Sequence, residues 1–201
     1  MSATTTSHRY TTVAIILHWV IAAMLVSMVF VGWWMEDLRH ALLDGTGSLT
    51  LTQAVYNWHK TAGLIILVLS LARLAWRLTH KAPPLPEGMK PWERFAAQFT
   101  HIAFYGVMLG APIMGWITAS ASSFPSKLFN LDGFLLPHLP VPQTESFASL
   151  AGSVHGASGW AILILLALHA GAALKHHILD RDGVLTRMIP GLNIPPQTGR
   201  D

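Results

Sequence analysis

No cysteine occurs among the 201 residues, which excludes disulfides, thiolate-held iron–sulfur clusters and haem attached through a C-x-x-C-H motif. Any redox chemistry must therefore rest on a cofactor held by other side chains. Charge is scarce too. Charged residues make up 11% of the chain and hydrophobic ones 52%, against about 25% charged in ordinary soluble domains. The chain has no internal repeat, no low-complexity stretch and little length left over for a soluble domain. What it does have is four long apolar segments, roughly 13–35, 56–76, 95–121 and 150–174. Each is close to the ~20 residues that cross a bilayer. The expected fold class is an all-α membrane protein, one domain over residues 1–201 forming a four-transmembrane-helix bundle.

The N-terminal MSATTTSHRY runs straight into a full-length apolar segment, without the short apolar region and small-residue cleavage site of a secretory signal. It is expected to stay as the lead into helix 1. Lysine and arginine set the orientation. Ten of the thirteen (Arg9, Arg73, Arg77, Lys81, Lys90, Arg94, Lys175, Arg181, Arg187 and Arg200) fall at the ends that share a side with the termini. Arg39, Lys60 and Lys127 fall on the other side. The excess puts both termini in the cytoplasm. The net charge of +3 comes from patches flanking the spans, which suits anionic lipid heads and gives no basis for nucleic-acid binding.

The helix-2 end, ARLAWRLTHK, meets a proline cluster, APPLPEG, that stops any helix. Lys90, Pro91, Trp92, Glu93 and Arg94 are expected at the cytoplasmic interface before helix 3. Residues 122–149, with four prolines, are expected to pack as an outer lid with one short helix.

The most informative residues are histidines. His155 and His169 lie fourteen residues apart in one apolar segment, close to four helical turns, so their rings point to nearly the same side about 21 Å apart. His18 and His59 stand near the ends of two other segments. Ionisable rings at membrane depth are costly and mark function by default. Of the three possible pairings, only His18 with His169 and His59 with His155 joins rings at equal depth, the first pair toward the cytoplasm and the second toward the outside. Two stacked haem b groups, each held by two histidines, explain all four. Small residues near these positions (Gly63, Gly156, Gly159, Gly171) allow close helix approach and would also admit a flat macrocycle. Zinc wants about four ligands at one point, whereas these form two distant pairs, and a transporter would show broken helices or repeats.

The remaining histidines carry less. Helix 3 offers His101 no partner at its depth, so core packing or a haem-propionate contact is expected there rather than ligation. His176, two turns after His169, is open to a propionate, a quinone carbonyl or a plain interfacial role. His8, His40, His80, His138 and His177 are expected in solvent. Arg73 either snorkels or binds a propionate or a quinone.

These residues resemble those of the bacterial cytochrome b561 family, dihaem cytochromes of the inner membrane. The resemblance spans nearly the whole chain. It is carried by His18-Trp19, by Arg73 and Arg77 with Pro83-Pro84, by Pro112 with Gly115, and most specifically by HAGAALKHH followed by RDGVLTRMIP. It implies that His18, His59, His155 and His169 are the haem ligands and that His176 belongs to a quinone site. It also implies an activity, since one member is a superoxide oxidase that passes electrons from superoxide outside the membrane to ubiquinone. On that basis the expected function is superoxide:ubiquinone oxidoreductase. Lys60, beside the outer ligand His59, is the best candidate to steer the anion. The alternatives are a non-catalytic electron-transfer subunit of a membrane dehydrogenase or hydrogenase, and a structural bundle without cofactors.

Overall fold

The computed structural model describes residues 9–122 and 124–193; His8 and Arg200 lie outside them. Four helices dominate: α1 (Thr12–Leu43), α2 (Leu49–Thr79), α3 (Pro91–Ser120) and α4 (Glu145–Lys175). No strand forms among the described residues, apart from one isolated bridge between Lys127 and Leu135. All four helices are long and apolar enough to cross a membrane.

Local chemistry sets the helix starts. The hydroxyls of Thr11, Ser48 and Thr144 accept from backbone N–H groups in the first turns of α1, α2 and α4. At α3, Pro91 occupies the first turn, where its missing N–H costs nothing, and Glu93 reaches back to the Lys90 N–H at 2.9 Å. Each helix therefore outruns its apolar stretch. At 1.5 Å per residue they are about 45 Å long, against a hydrocarbon core of about 30 Å. The 91–94 stretch expected at the interface is the first turn of α3 itself.

The helices run up and down, so the start of α1 and the end of α4 share one end of the bundle. That end is called the terminal end below, and the opposite one the far end. α1 packs on α2, α2 on α3 and α3 on α4, and α4 meets α1 in the smallest of these four neighbour contacts. Ile21, Leu25 and Val29 of α1, Ile66 of α2, Met108 of α3 and Ile162 of α4 form the core. On every helix that bears a ligand candidate, these residues lie toward mid-helix from it. The apolar packing thus fills the space between two histidine levels. Outward faces carry exposed Phe30, Val68, Ile102 and Leu168, a liability in water and a fit to lipid.

Two irregular segments close the ends. At the far end, residues 124–144 fold over the helix tops through a 3-10 turn, Leu128–Asn130. At the terminal end α4 widens into a π-helical turn, His176–Asp180, and the chain reverses at Arg181, whose φ is +53°. The tail then crosses the bundle. Trp19 Nε1 donates to the Met188 carbonyl at 2.9 Å, and Arg187 donates to the Pro84 carbonyl.

Candidate functional site

The bundle brings four histidines into two pairs. Ring centroids of His18 and His169 lie 6.1 Å apart, and those of His59 and His155 6.0 Å apart. Two metal–imidazole bonds of about 2 Å each put the nitrogens about 4 Å apart, and the two ring halves bring the centroids close to the observed separation. Both pairs therefore have the spacing of imidazoles facing each other across one iron.

The far-end pair shows how the fold prepares a ring. His155 Nδ1 donates to the Ala111 carbonyl at 3.0 Å, which fixes the tautomer and leaves Nε2 as the nitrogen with a lone pair. The ring reaches that carbonyl because Gly115 lies one turn on. A Cβ at Gly115 would stand 2.9 Å from His155 Cε1. Gly115 thus has a physical reason: α3 offers a side-chain-free notch for an imidazole of α4. His59 has a buried Nδ1 with no hydrogen-bond partner, so its ring has binding capacity to spare in apolar surroundings. Beside it a cleft of about 490 Å³, lined by Met24, Met28, Val31, Trp34 and Trp58 among others, opens between α1 and α2. Sites for small cofactors fall in this size range and are likewise mostly apolar. Of the small residues singled out from sequence, Gly156 and Gly171 face open space, while Gly63 and Gly159 meet Met28 and Val29. The close approach is at Gly115, some 40 positions away from the histidine it serves.

The terminal-end pair is surrounded by charge. Arg73 Nη2 donates to His18 Nδ1 at 3.2 Å, and its Nη1 donates to the Ala14 carbonyl at 3.1 Å. A ring that accepts at Nδ1 keeps its proton on Nε2, so a metal taking Nε2 requires the guanidinium to turn away. Only about 40 Å³ is free beside Arg73, in a pocket also lined by Arg77, His80, Lys81, Tyr10 and Tyr105. His101 does face the bundle: its centroid is 5.5 Å from that of His169.

His176 is buried, with 6% of its surface exposed. Its Nδ1 lies 2.5 Å from Asp182 Oδ2 and 3.0 Å from Asp180 Oδ2. Lys175 bridges Asp180 at 2.7 Å and Glu93 of α3 at 2.5 Å. The sequence marks His176 as open to several roles; Asp180 is its neighbour four residues on, but Asp182 reaches the same nitrogen only because the chain reverses at Arg181.

Lys60 is half-buried, and its Nζ donates to Ser126 Oγ at 2.7 Å. The residues around it bind the same covering segment. Asn57 donates to Asn130 Oδ1 at 2.9 Å and accepts from the Lys127 N–H at 3.2 Å, and Thr61 accepts from the Phe129 N–H at 2.8 Å. Phe129 and Asn130 both take positive φ, +52° and +56°, a conformation that side chains other than Gly adopt at a cost. The hydrogen bonds to α2 hold it in place. Outside the helices, the Lys127 ammonium at 2.5 Å from Asp132 holds that exposed carboxyl below its ordinary range.

The family model for prokaryotic cytochrome b561 matches residues 9–191. The chain is 30% identical over 190 residues to "Cytochrome b561 homolog 2" of Escherichia coli (strain K12), covering 94% of this chain and 95% of that one. It is 28% identical over 185 residues to "Cytochrome b561 homolog 1" of the same organism, covering 91% and 98%. A third relative, "Probable superoxide oxidase CybB" of Yersinia pestis, is 25% identical over 182 residues, covering 90% and 96%. A family model matching almost end to end, on a bundle of four membrane-length helices, places this chain in the prokaryotic cytochrome b561 family of haem-b-binding membrane electron carriers.

Proposed function

We propose that the chain is a superoxide:ubiquinone oxidoreductase of a bacterial inner membrane. It holds one haem b between His18 and His169 and a second between His59 and His155, with both termini cytoplasmic. The observation that carries this reading is the pair of pairs: imidazoles about 6 Å apart at each end of one apolar bundle. Two superoxide anions lose one electron each to become dioxygen, and one ubiquinone gains two electrons and two protons. Haem b, when bound, supplies at each end an iron that changes oxidation state by one electron and, closed by two histidines, binds oxygen poorly.

The chain's own residues do the rest. The Ile21, Leu25, Val29, Ile66, Met108 and Ile162 packing keeps water out between the two levels. Gly115 and the Ala111 carbonyl orient His155. Arg73, a membrane-level cation beside His18, would pair with a haem propionate, which would free His18 Nδ1 to carry the ring proton. Lys60 supplies the positive charge at the far end, and membrane lipids surround the bundle.

The test is to purify the full chain, add superoxide and follow haem reduction, then add ubiquinone and follow reoxidation. Both steps are expected. A second reading, an electron-transfer subunit for a dehydrogenase or hydrogenase, draws support from the covering of Lys60 by Ser126, which narrows access for a dissolved anion. Haems that superoxide leaves oxidised but that a partner protein reduces would select that reading.

A further inference from the structure

At the terminal end, one histidine differs from all others in its surroundings. His176 is buried in a π-helical turn, a distortion frequently found at functional sites. Its Nδ1 faces two carboxylates at 2.5 and 3.0 Å. A continued α-helix would bring Asp180, four residues on, to this face, but not Asp182, six residues on. The π turn ends at Asp180, and the left-handed Arg181 turns the chain so that Asp182 returns to the same nitrogen. Asp182 is itself held: its Oδ1 accepts from the Val184 N–H at 3.1 Å, and 19% of its side chain is exposed. Asp180, at 34%, is the member nearer water.

We propose that Asp182 is the positioning residue of a proton-delivering carboxylate–histidine pair, and that it presents His176 to the quinone while Asp180 links the pair to the cytoplasm. This rests on the reading of the terminal end as the quinone side. Reducing one quinone takes two electrons, which arrive through the haem-level histidines, and two protons. With Nδ1 bound by carboxylate, Nε2 is the nitrogen left to exchange a proton. Its N–H bond breaks as an O–H bond forms on a quinone carbonyl oxygen, and His176 takes a new proton from cytoplasmic water. Two such deliveries complete each quinol. The negative Asp182 offsets the charge of the imidazolium in a low-dielectric setting, as carboxylates do for catalytic histidines. The other charged groups facing this cluster are Lys175 on α4 and Glu93 on α3. Lys175 also speaks against a divalent cation here, because its ammonium already occupies Asp180 at 2.7 Å.

The experiment uses the full holoprotein, pre-reduced and mixed with a short-chain ubiquinone. Asp182→Asn is nearly isosteric and keeps an oxygen for the Val184 N–H. It is expected to slow haem reoxidation by about 10- to 100-fold, the usual loss when the carboxylate behind a functional histidine is removed, with the haem spectrum unchanged. The fall in rate with rising pH should begin at lower pH than in the wild type, because the imidazolium has lost its counter-charge. Asp182→Glu should restore most of the rate, and Asp182→Asn combined with His176→Ala should be no slower than His176→Ala alone. Wild-type rate and pH profile in Asp182→Asn, with His176→Ala slow, would overturn the role of Asp182 and leave the quinone reading standing. Unchanged kinetics in His176→Ala as well would remove both. Should Asp182→Asn lose its haem spectrum, Asp180→Asn and the glutamate variant carry the test through the same pH profile.

Discussion

At the far end, His59 and His155 stand 6.0 Å apart beside a cleft of about 490 Å³. At the terminal end, His18 and His169 stand 6.1 Å apart, with Arg73 against His18. The rings are spaced alike and the surroundings are not. The far pair is set by shape: a glycine notch, a backbone carbonyl, and a lid bound through amides and hydroxyls. The terminal pair is set by charge, with Arg73 on His18 and the Glu93–Lys175–Asp180–His176–Asp182 chain beyond it. An electron needs only closely spaced metal sites, so the ligand pairs can match. What enters and leaves differs, and only the terminal end carries a buried histidine bound to carboxylates among the described residues.

The strongest way to break this comparison is to remove one ring at a time. His59→Ala or His155→Ala should eliminate the far haem and spare the other, while His18→Ala or His169→Ala should do the converse. His101→Ala, although its ring lies near His169, should leave both. Optical spectra and haem content of each purified variant decide. Two haems retained in any of the four ligand variants would reject that ligand, and loss of the terminal haem in His101→Ala would make His101 a ligand.

Next comes shape against charge. Gly115→Ala pushes a methyl group to 2.9 Å from a ring carbon of His155. Overpacking of this kind costs about 1–3 kcal/mol. The far haem should therefore be lost or bound about 10-fold more weakly, with the terminal haem unaffected. The mirror experiment is Arg73→Gln, which should lower the reduction potential of the terminal haem by removing a cation that favours the reduced form, and should leave the far haem alone. Redox titration of each variant reads both effects. If Gly115→Ala changed the terminal haem, or Arg73→Gln the far one, the division into a shape-built and a charge-built end would fail.

The pairing of rings was legible in the sequence because depth is counted along a helix and the bilayer fixes its scale. The outer segment expected over 122–149 gives up its last five residues to α4, which begins at Glu145, whereas the four membrane-length helices could be read the same way. The neighbours of those rings could not. Gly115 matters to His155 only once α3 and α4 are side by side. Lys60 reads as an open outer lysine until Ser126 folds onto it. That the ring of His101 lies near His169 appears only once α3 and α4 are side by side. Asp182 joins His176 through a π turn and a left-handed arginine, neither of which has a sequence signal.

The smallest expected effect concerns Lys60. Lys60→Glu replaces a half-buried ammonium bonded to Ser126 with a negative group beside His59. Reduction by superoxide should slow several-fold at low ionic strength. The difference should shrink as salt screens the charge over ~10 Å at 0.1 M, and a neutral donor should be far less affected. Equal rates for the variant and wild type at low salt would leave Lys60 as a lid anchor only.

The central claim is that one chain holds two haems, one at each histidine pair. It is tested most directly by the haem b content of the purified full chain, determined per polypeptide alongside the spin state. Two haems b per chain are expected, both low-spin with two histidines on each iron. A single haem per chain, or a high-spin iron with an open position, would contradict it.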